Sequence, residues 1–344
     1  MIGASAPLPS LRFLARLSDS NGIFEHAEFV RPRREYGYCT DDAGRLLGLA
    51  SRLPRDPDAF RLAELALGFL ERAHRQGGEF RLRQRVDGTW TEDPSSEDAA
   101  ARALLGLGTA VAWAPWPELR LRALALFDEA SVLRSEHRRA VACAVLGAAE
   151  LLSTDPAHTG ARRLVSQATP LLEERGSSDT WPWPETRLSY ANALLPEASL
   201  SAAIVNDDPH RASSALDQLR WLVERQTLDG HFSFTPVGGC DAASKPPMFD
   251  QQPIEAWATA SACAKAFAYT RDHWWADAVQ RAVAWFLGDN DVGVMVFDPI
   301  TGGGFDGLQS NGVNRNEGAE SGMAFVGTML HLHELRLELE ATPN

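Results

Sequence analysis

Residues 97–133 read EDAAARALLGLGTAVAWAPWPELRLRALALFDEASVL, and two different helical patterns meet there across a short proline turn. Up to Trp113 the residues are small and apolar, with charge confined to the first two turns. A helix apolar most of the way round is buried on most sides. From Pro117 onward an apolar stripe alternates with a charged face, the pattern of a helix with one side in water. An inner helix followed by an outer one is therefore the unit that the fold repeats.

The same pair recurs along the chain. Small, apolar segments are "AGRLLGLA", "AVACAVLGAAELL", "LLPEASLSAAIV", "IEAWATASACAKAFAY" and "GAESGMAFVGTMLHLHEL". Striped, charged ones are "DAFRLAELALGFLERAHRQ", "AHTGARRLVSQATPLLEER", "PHRASSALDQLRWLVERQ" and "RDHWWADAVQRAVAWFL". Helical periodicity places twelve helices near 8–18, 41–53, 57–76, 97–113, 117–133, 137–153, 157–175, 191–205, 209–227, 253–270, 273–288 and 318–339. Six inner helices alternating with six outer ones predict an all-α double ring, an (α/α)6 barrel, as one domain over 1–344. The repeat is roughly 57 residues per hairpin.

Composition fits an ordinary globular protein of 344 residues, 44% apolar and 23% charged. The net charge of −13 argues against a nucleic-acid partner, which wants a basic surface. The short basic run "RPRRE" at 31–35 reads as a solvated turn. Four cysteines at 39, 143, 240 and 263 have no CxxC spacing, so neither a zinc site nor a redox motif is expected. The reading is a reduced, cytoplasmic protein with no secretion signal and no cofactor. No stretch approaches the roughly 18 apolar residues of a membrane span. "GDNDVG" at 288–293 lacks the later ligands of a calcium loop and reads as a turn.

The connections divide into two kinds. Inner-to-outer links are short and punctuated by proline: "LPRDPD", "APWPE", "STDPAH" and "NDDPH". Outer-to-inner links are long and carry aromatic, acidic and glycine residues. In a double ring every long link lies at one end, and long loops in a compact domain usually carry function. One of them holds "DTWPWPE", residues 179–185, where prolines fix the path and Trp181 and Trp183 offer flat apolar plates. Sugar rings stack on such plates while carboxylates take their hydroxyls. The alternative is a loop folded down over the core.

Acids open the inner helices: Asp41 and Asp42 before Arg45, Glu97 and Asp98 before Arg102, Asp250 and Glu255, Glu317 and Glu320. Asp41–Arg45 and Asp98–Arg102 repeat one four-residue spacing, which reads as two copies of one unit. Each acid alone is explained by stabilising a helix dipole. Gathered around one cavity they would repel, and some would hold a proton, as a general acid must. Glycosidic cleavage uses two such carboxyls. His26, Tyr190, Asn192, Gln251, Gln252, Asp306, Arg315 and Asn316 add polar groups suited to a ligand with many hydroxyls.

The motifs "HAEFVRPRREYGYCTDDAGRLLGLA", "DTWPWPETRLSYANALLPEASLSAA", "MFDQQPIEAWA" and "GGFDGLQSNGVNRNEGAES" resemble a bacterial family found beside or fused to glycosyltransferases, within the six-hairpin glycosidase superfamily. That family's first motif runs nearer "GYxTDDNARAL", so Ala43 and Gly44 replace asparagine and alanine, and its last motif has glutamine where this chain has Glu317. The resemblance implies site roles for Asp41, Asp42, Trp181, Trp183, Glu185, Gln251, Gln252, Glu255, Asp306 and Glu320.

The resulting expectation is a carbohydrate-active enzyme that cleaves or rearranges a glycosidic bond in an oligosaccharide. Asp42 and Glu320 are the nominated carboxyl pair, with Glu255 and Asp98 in reserve. Asp41, Arg45, His26, Tyr38, Trp90, Trp181, Trp183, Glu185, Tyr190, Asn192, Gln251, Gln252, Asp306, Arg315 and Asn316 are substrate-binding candidates; no metal is expected. Partners would be an oligosaccharide or glycoside and a glycosyltransferase. A glycan-binding module without catalysis and a sugar epimerase on the same ring stay open. A terpenoid-type toroid ranks last, because "TDDAGR" lacks the repeated aspartates that hold magnesium and diphosphate.

Overall fold

A computed structural model describes residues 6–91, 96–172, 176 and 180–341. Asp179 of the tryptophan-proline loop, residues 92–95 of an earlier connection and the end of the helix expected at 157–175 lie outside the described residues. The helices are α1 (Arg12–Arg16), α2 (Thr40–Arg52), α3 (Ala59–Ala73), α4 (Glu97–Trp113), α5 (Pro117–Ala130), α6 (Arg138–Thr154), α7 (Thr159–Leu172), α8 (Leu194–Val205), α9 (Pro209–Arg225), α10 (Pro253–Thr270), α11 (His273–Phe286) and α12 (Ala319–Ala341). Each answers to an expected segment. Only α1 falls well short, because Pro9 lies ahead of it and the chain turns at Ser18 to bridge Ile23.

The chain divides into two compact units. The first spans 11–173 and 201–211. There α2 packs on α3 and α4, α4 on α5 and α6, and α6 on α7. Helices α2, α4 and α6 are buried along most of their length, α3 along one stripe. Glycines permit the inner contacts. A Cβ on Gly44 would meet the Arg102 carbonyl oxygen at 2.5 Å, and Gly106 abuts the Gly44 backbone in return. Gly108 abuts the Gly147 backbone in the same way. Side chains there would hold the helices apart and leave unfilled space.

The second unit spans 1–10, 174–200 and 212–344. Helix α10 packs on α11 and α12, and α11 on α12. Its core holds Trp183, Trp275, Trp285, Phe232, Phe234 and Phe286, all under 2% exposed.

Short antiparallel strand pairs decorate the connections. In the first unit β1 (Ala27–Glu28) pairs β2 (Arg31–Pro32), β3 (Tyr38–Cys39) pairs β6 (Arg83–Gln84), and β4 (His74–Arg75) pairs β5 (Glu79–Phe80). In the second, β7 (Thr227–Leu228) pairs β8 (His231–Phe232) and β9 (Gly307–Gln309) pairs β10 (Gly312–Asn314). The β7–β8 turn is Asp229-Gly230, both with positive φ, as a two-residue hairpin demands. "GDNDVG" is a turn as expected: Asn290 Oδ1 accepts from Gly293 N at 3.0 Å, and its Nδ2 donates to Trp285 O and Val294 O at 2.8 Å.

Candidate active site

In the first unit, extended Cys39 leads into α2 and sets Asp41 and Asp42 in its first turn. Asp42 is 3% exposed. Arg45 Nη1 donates to Asp42 Oδ1 at 2.9 Å, and Arg102 Nε crosses from α4 to Asp41 Oδ2 at 3.7 Å. The expected Asp41–Arg45 pairing is thus corrected: Arg45 takes the acid three residues back, and Asp41 faces the next helix. The close crossing at Gly44 brings α4 within reach. It also gives a packing reason for glycine where the resembling family has alanine.

Burial raises the Cys39 thiol, and Asp42 and Asp41 raise it further. Burial raises the Cys143 thiol of α6 as well, while Arg102 and Arg45 pull it down. Helices α2 and α6 both pack on α4, and the Arg102–Asp41 pair ties α4 to the first turn of α2. Asp98, half-buried, follows the cap Ser96, whose side chain accepts from Ala99 N at 3.3 Å.

Other candidates in this unit have structural partners. Tyr38 is 1% exposed and donates to Asp19 Oδ2 at 2.8 Å; burial first, then Asp19, pushes its phenol up to about 12. That corrects its assignment to substrate, because no face of the ring is open. Trp90 is half-buried, its ring 5.4 Å from that of Phe69. The His26 side chain is half exposed, and its ring edges onto Tyr36 at 4.9 Å.

In the second unit, Glu255 in the first turn of α10 is 1% exposed. Its Oε2 accepts from Asn192 Nδ2 at 3.1 Å and Asn192 N at 3.3 Å. Asn192 Oδ1 accepts from Ser189 N at 2.9 Å, so this wholly buried amide holds Glu255 rather than a ligand. Gln251 is corrected in the same way: it is 0% exposed. Its Nε2 donates to Asp291 Oδ2 at 2.5 Å and Met248 O at 3.1 Å, and its Oε1 accepts from Phe234 N and Trp285 Nε1 at 3.1 Å.

Trp183 is 0% exposed, stacked near Trp221 at 6.1 Å, with Nε1 directed to Glu185 Oε2 at 3.3 Å. No plate remains for a sugar, and the tryptophan-proline loop lies folded down on α9. Trp181 is half-buried, edge-on to Trp221 at 5.2 Å, and donates to Glu185 O at 2.8 Å. Tyr190 is 38% exposed, and Gln252 is half-buried ahead of α10.

Ahead of α12, Asp306 Oδ1 accepts from Gly318 N at 2.8 Å, capping the helix. Asn316 N donates to Asn314 Oδ1 at 3.2 Å, and Arg315 is exposed. Glu320 is half-buried in the first turn of α12. Glu317, expected only as one of the acids at the start of α12 and not as one of the catalytic pair, is 1% exposed and accepts from Thr301 Oγ1 at 2.7 Å. Burial raises the Glu317 carboxyl, and Asp298 and Asp306 add to this against the Thr301 hydrogen bond. Sequence reasoning passed over Glu197, which is 5% exposed and accepts from Ser261 Oγ at 2.7 Å. A lone acid inside "LLPEASLSAAIV" was the available signal.

Among solved structures, cellobiose 2-epimerase from Bacillus thermoamylovorans B4167 superposes with a TM-score of 0.69, 13% identity and 96% of each chain covered. A sugar epimerase from a ruminal bacterium gives 0.71, 12% and 96% of each chain. The fold is an (α/α)6 barrel. A novel alpha-amylase from Clostridium perfringens shares it, with a TM-score of 0.61, 10% identity, 93% of this chain and 95% of that one. No family model matches the chain, and no curated protein is matched by sequence. No helix among the described residues is long and apolar enough to cross a membrane.

Proposed function

We propose that this (α/α)6 barrel is a carbohydrate-active enzyme that cleaves or rearranges a glycosidic bond in an oligosaccharide by carboxyl acid–base chemistry. The observation that carries the reading is the set of acids at inner-helix starts, held by neighbouring side chains: Asp42 by Arg45, Glu255 by Asn192, Glu317 by Thr301. The fold neighbours named for sugar epimerases and an amylase support the substrate class. Glu320 and Asp98, half-buried, are reachable by a ligand, and Asp42 and Glu255 are the more deeply set acids. Trp181 keeps a partly open ring for stacking.

Purified protein incubated with cello-, malto- and manno-oligosaccharides should convert at least one. Asp42→Asn and Glu320→Gln should each lower turnover by about 100-fold or more, the scale of a lost acid–base group. Unchanged turnover in either variant removes that residue from its role. The epimerase reading is favoured by two of the fold neighbours, a cellobiose 2-epimerase and a sugar epimerase. It predicts a changed sugar configuration with no new reducing end. Saturable binding without any conversion would favour the glycan-binding module.

A glycosyltransferase partner belongs to the same proposal and rests on the motif resemblance. Co-purification with a glycosyltransferase encoded beside it would support that partner. A thiol-reducing, cytoplasmic location is supported by four buried free cysteines. That the barrel behaves as one domain predicts a single calorimetric transition.

A further inference from the structure

One polar relay in the second unit is unused by the chemistry above. His231, on β8, places Nε2 3.0 Å from Asp291 Oδ1. The Asp291 side chain is 1% exposed, and its other oxygen takes the 2.5 Å bond from Gln251. Gln251 is locked in turn by Trp285 and the Phe234 backbone. Among the described residues Asp291 meets neither arginine nor lysine. Burying a carboxylate without a permanent cation is costly unless it is hydrogen-bonded, and here His231 and Gln251 supply the bonds. A buried acid on one ring nitrogen fixes the orientation of an imidazole and leaves the other nitrogen for work. Here that nitrogen is Nδ1, which makes no hydrogen bond among the described residues; the side chain is 17% exposed.

The location agrees. The β7–β8 hairpin follows the end of α9, Asp291 follows the end of α11, and Gln251 precedes α10 by two residues. All three lie at the end of this unit where α10 and α12 begin, the end that carries Glu255, Glu317 and Glu320.

We propose that His231 exchanges a proton with the bound carbohydrate through Nδ1, with Asp291 and Gln251 as positioning residues; this rests on the carbohydrate reading above. As the attacking hydroxyl or water bonds to the sugar carbon, its proton passes to Nδ1. The glycosidic C–O bond breaks, and a carboxyl group protonates the departing oxygen. The imidazolium then returns its proton through solvent to that carboxylate. No bond to His231 forms, and no redox partner is needed.

The test uses the full chain and whichever cello-, malto- or manno-oligosaccharide the wild type converts. His231→Ala should lower kcat by about 100-fold or more with KM within a few fold, as for a lost proton carrier. Added free imidazole should restore part of that rate, which a merely structural histidine would not allow. His231→Gln, which can still donate to Asp291, should be as slow as the alanine variant and gain nothing from imidazole. Asp291→Asn should lower kcat less and displace the pH–rate profile. Wild-type turnover in His231→Gln would overturn the inference while leaving the parent reading intact, and so would a loss in His231→Ala that imidazole leaves unchanged. A wild type that converts no member of the panel would sink the parent reading and this inference with it.

Discussion

The two units handle buried acids differently. In the first, Asp42 and Asp41 face the guanidinium groups of Arg45 and Arg102. In the second, Glu317 meets a threonine hydroxyl, and Asp291 meets an imidazole and an amide. An arginine partner favours the ionised form of an acid, which a general base or nucleophile needs. A hydroxyl partner adds no charge, so burial favours the protonated form that a general acid needs, as at Glu317. The hairpins repeat the contrast. Phe80 and Phe232 are both 0% exposed at equivalent register. The residue before each is exposed Glu79 in one and Asp291-bound His231 in the other.

The largest effect should come from breaking the arginine scaffold. Arg45→Ala removes the guanidinium that bonds a 3%-exposed aspartate at 2.9 Å. Removing one partner of a buried pair costs about 3–5 kcal/mol, measurable by chemical denaturation. A loss under about 1 kcal/mol would place Arg45 with ordinary surface pairs and erase the contrast.

Next comes the pH dependence of the second unit. Burial raises the folded-state Glu317 carboxyl above its unfolded value, so folding binds a proton between those two values. The contribution is therefore fully present below the unfolded pKa and is lost as pH rises through the folded one. Wild type should lose stability relative to Glu317→Gln as pH rises above the ordinary glutamate range, with the gap closing at the acid end. Denaturation midpoints of both proteins across that rise in pH check the sign.

Turn substitutions should be smaller and equal in the two hairpins. Gly77 (φ +88°) and Gly230 (φ +93°) have open space where a Cβ would go, so only conformation opposes alanine. Each Gly→Ala change should cost about 1–2 kcal/mol. Unequal losses would show that one hairpin is held by more than its turn. The smallest effect belongs to Glu79→Gln, within about 0.5 kcal/mol, as for a surface site away from special features.

Helix positions were legible because periodicity and proline punctuation report them directly; α4 and α10 fall at the expected bounds. The acids at helix starts were legible for the same reason. Their partners were not. Spacing suggested Asp41–Arg45, but tertiary crowding at Gly44 selects Asp42 for Arg45 and gives Asp41 to Arg102. Trp183 was read as a plate because core packing and sugar stacking ask for the same side chain, and only burial separates them. The His231–Asp291 contact spans 60 residues, beyond any local pattern.

The most direct test is a crystal structure of Glu320→Gln protein soaked with an oligosaccharide that the wild type converts. The account predicts a sugar ring at the starts of α10 and α12, with a hydroxyl or glycosidic oxygen within about 2.6–3.2 Å of residue 320. A ring seated on the water-facing sides of α9 or α11, with residue 320 untouched, would contradict it.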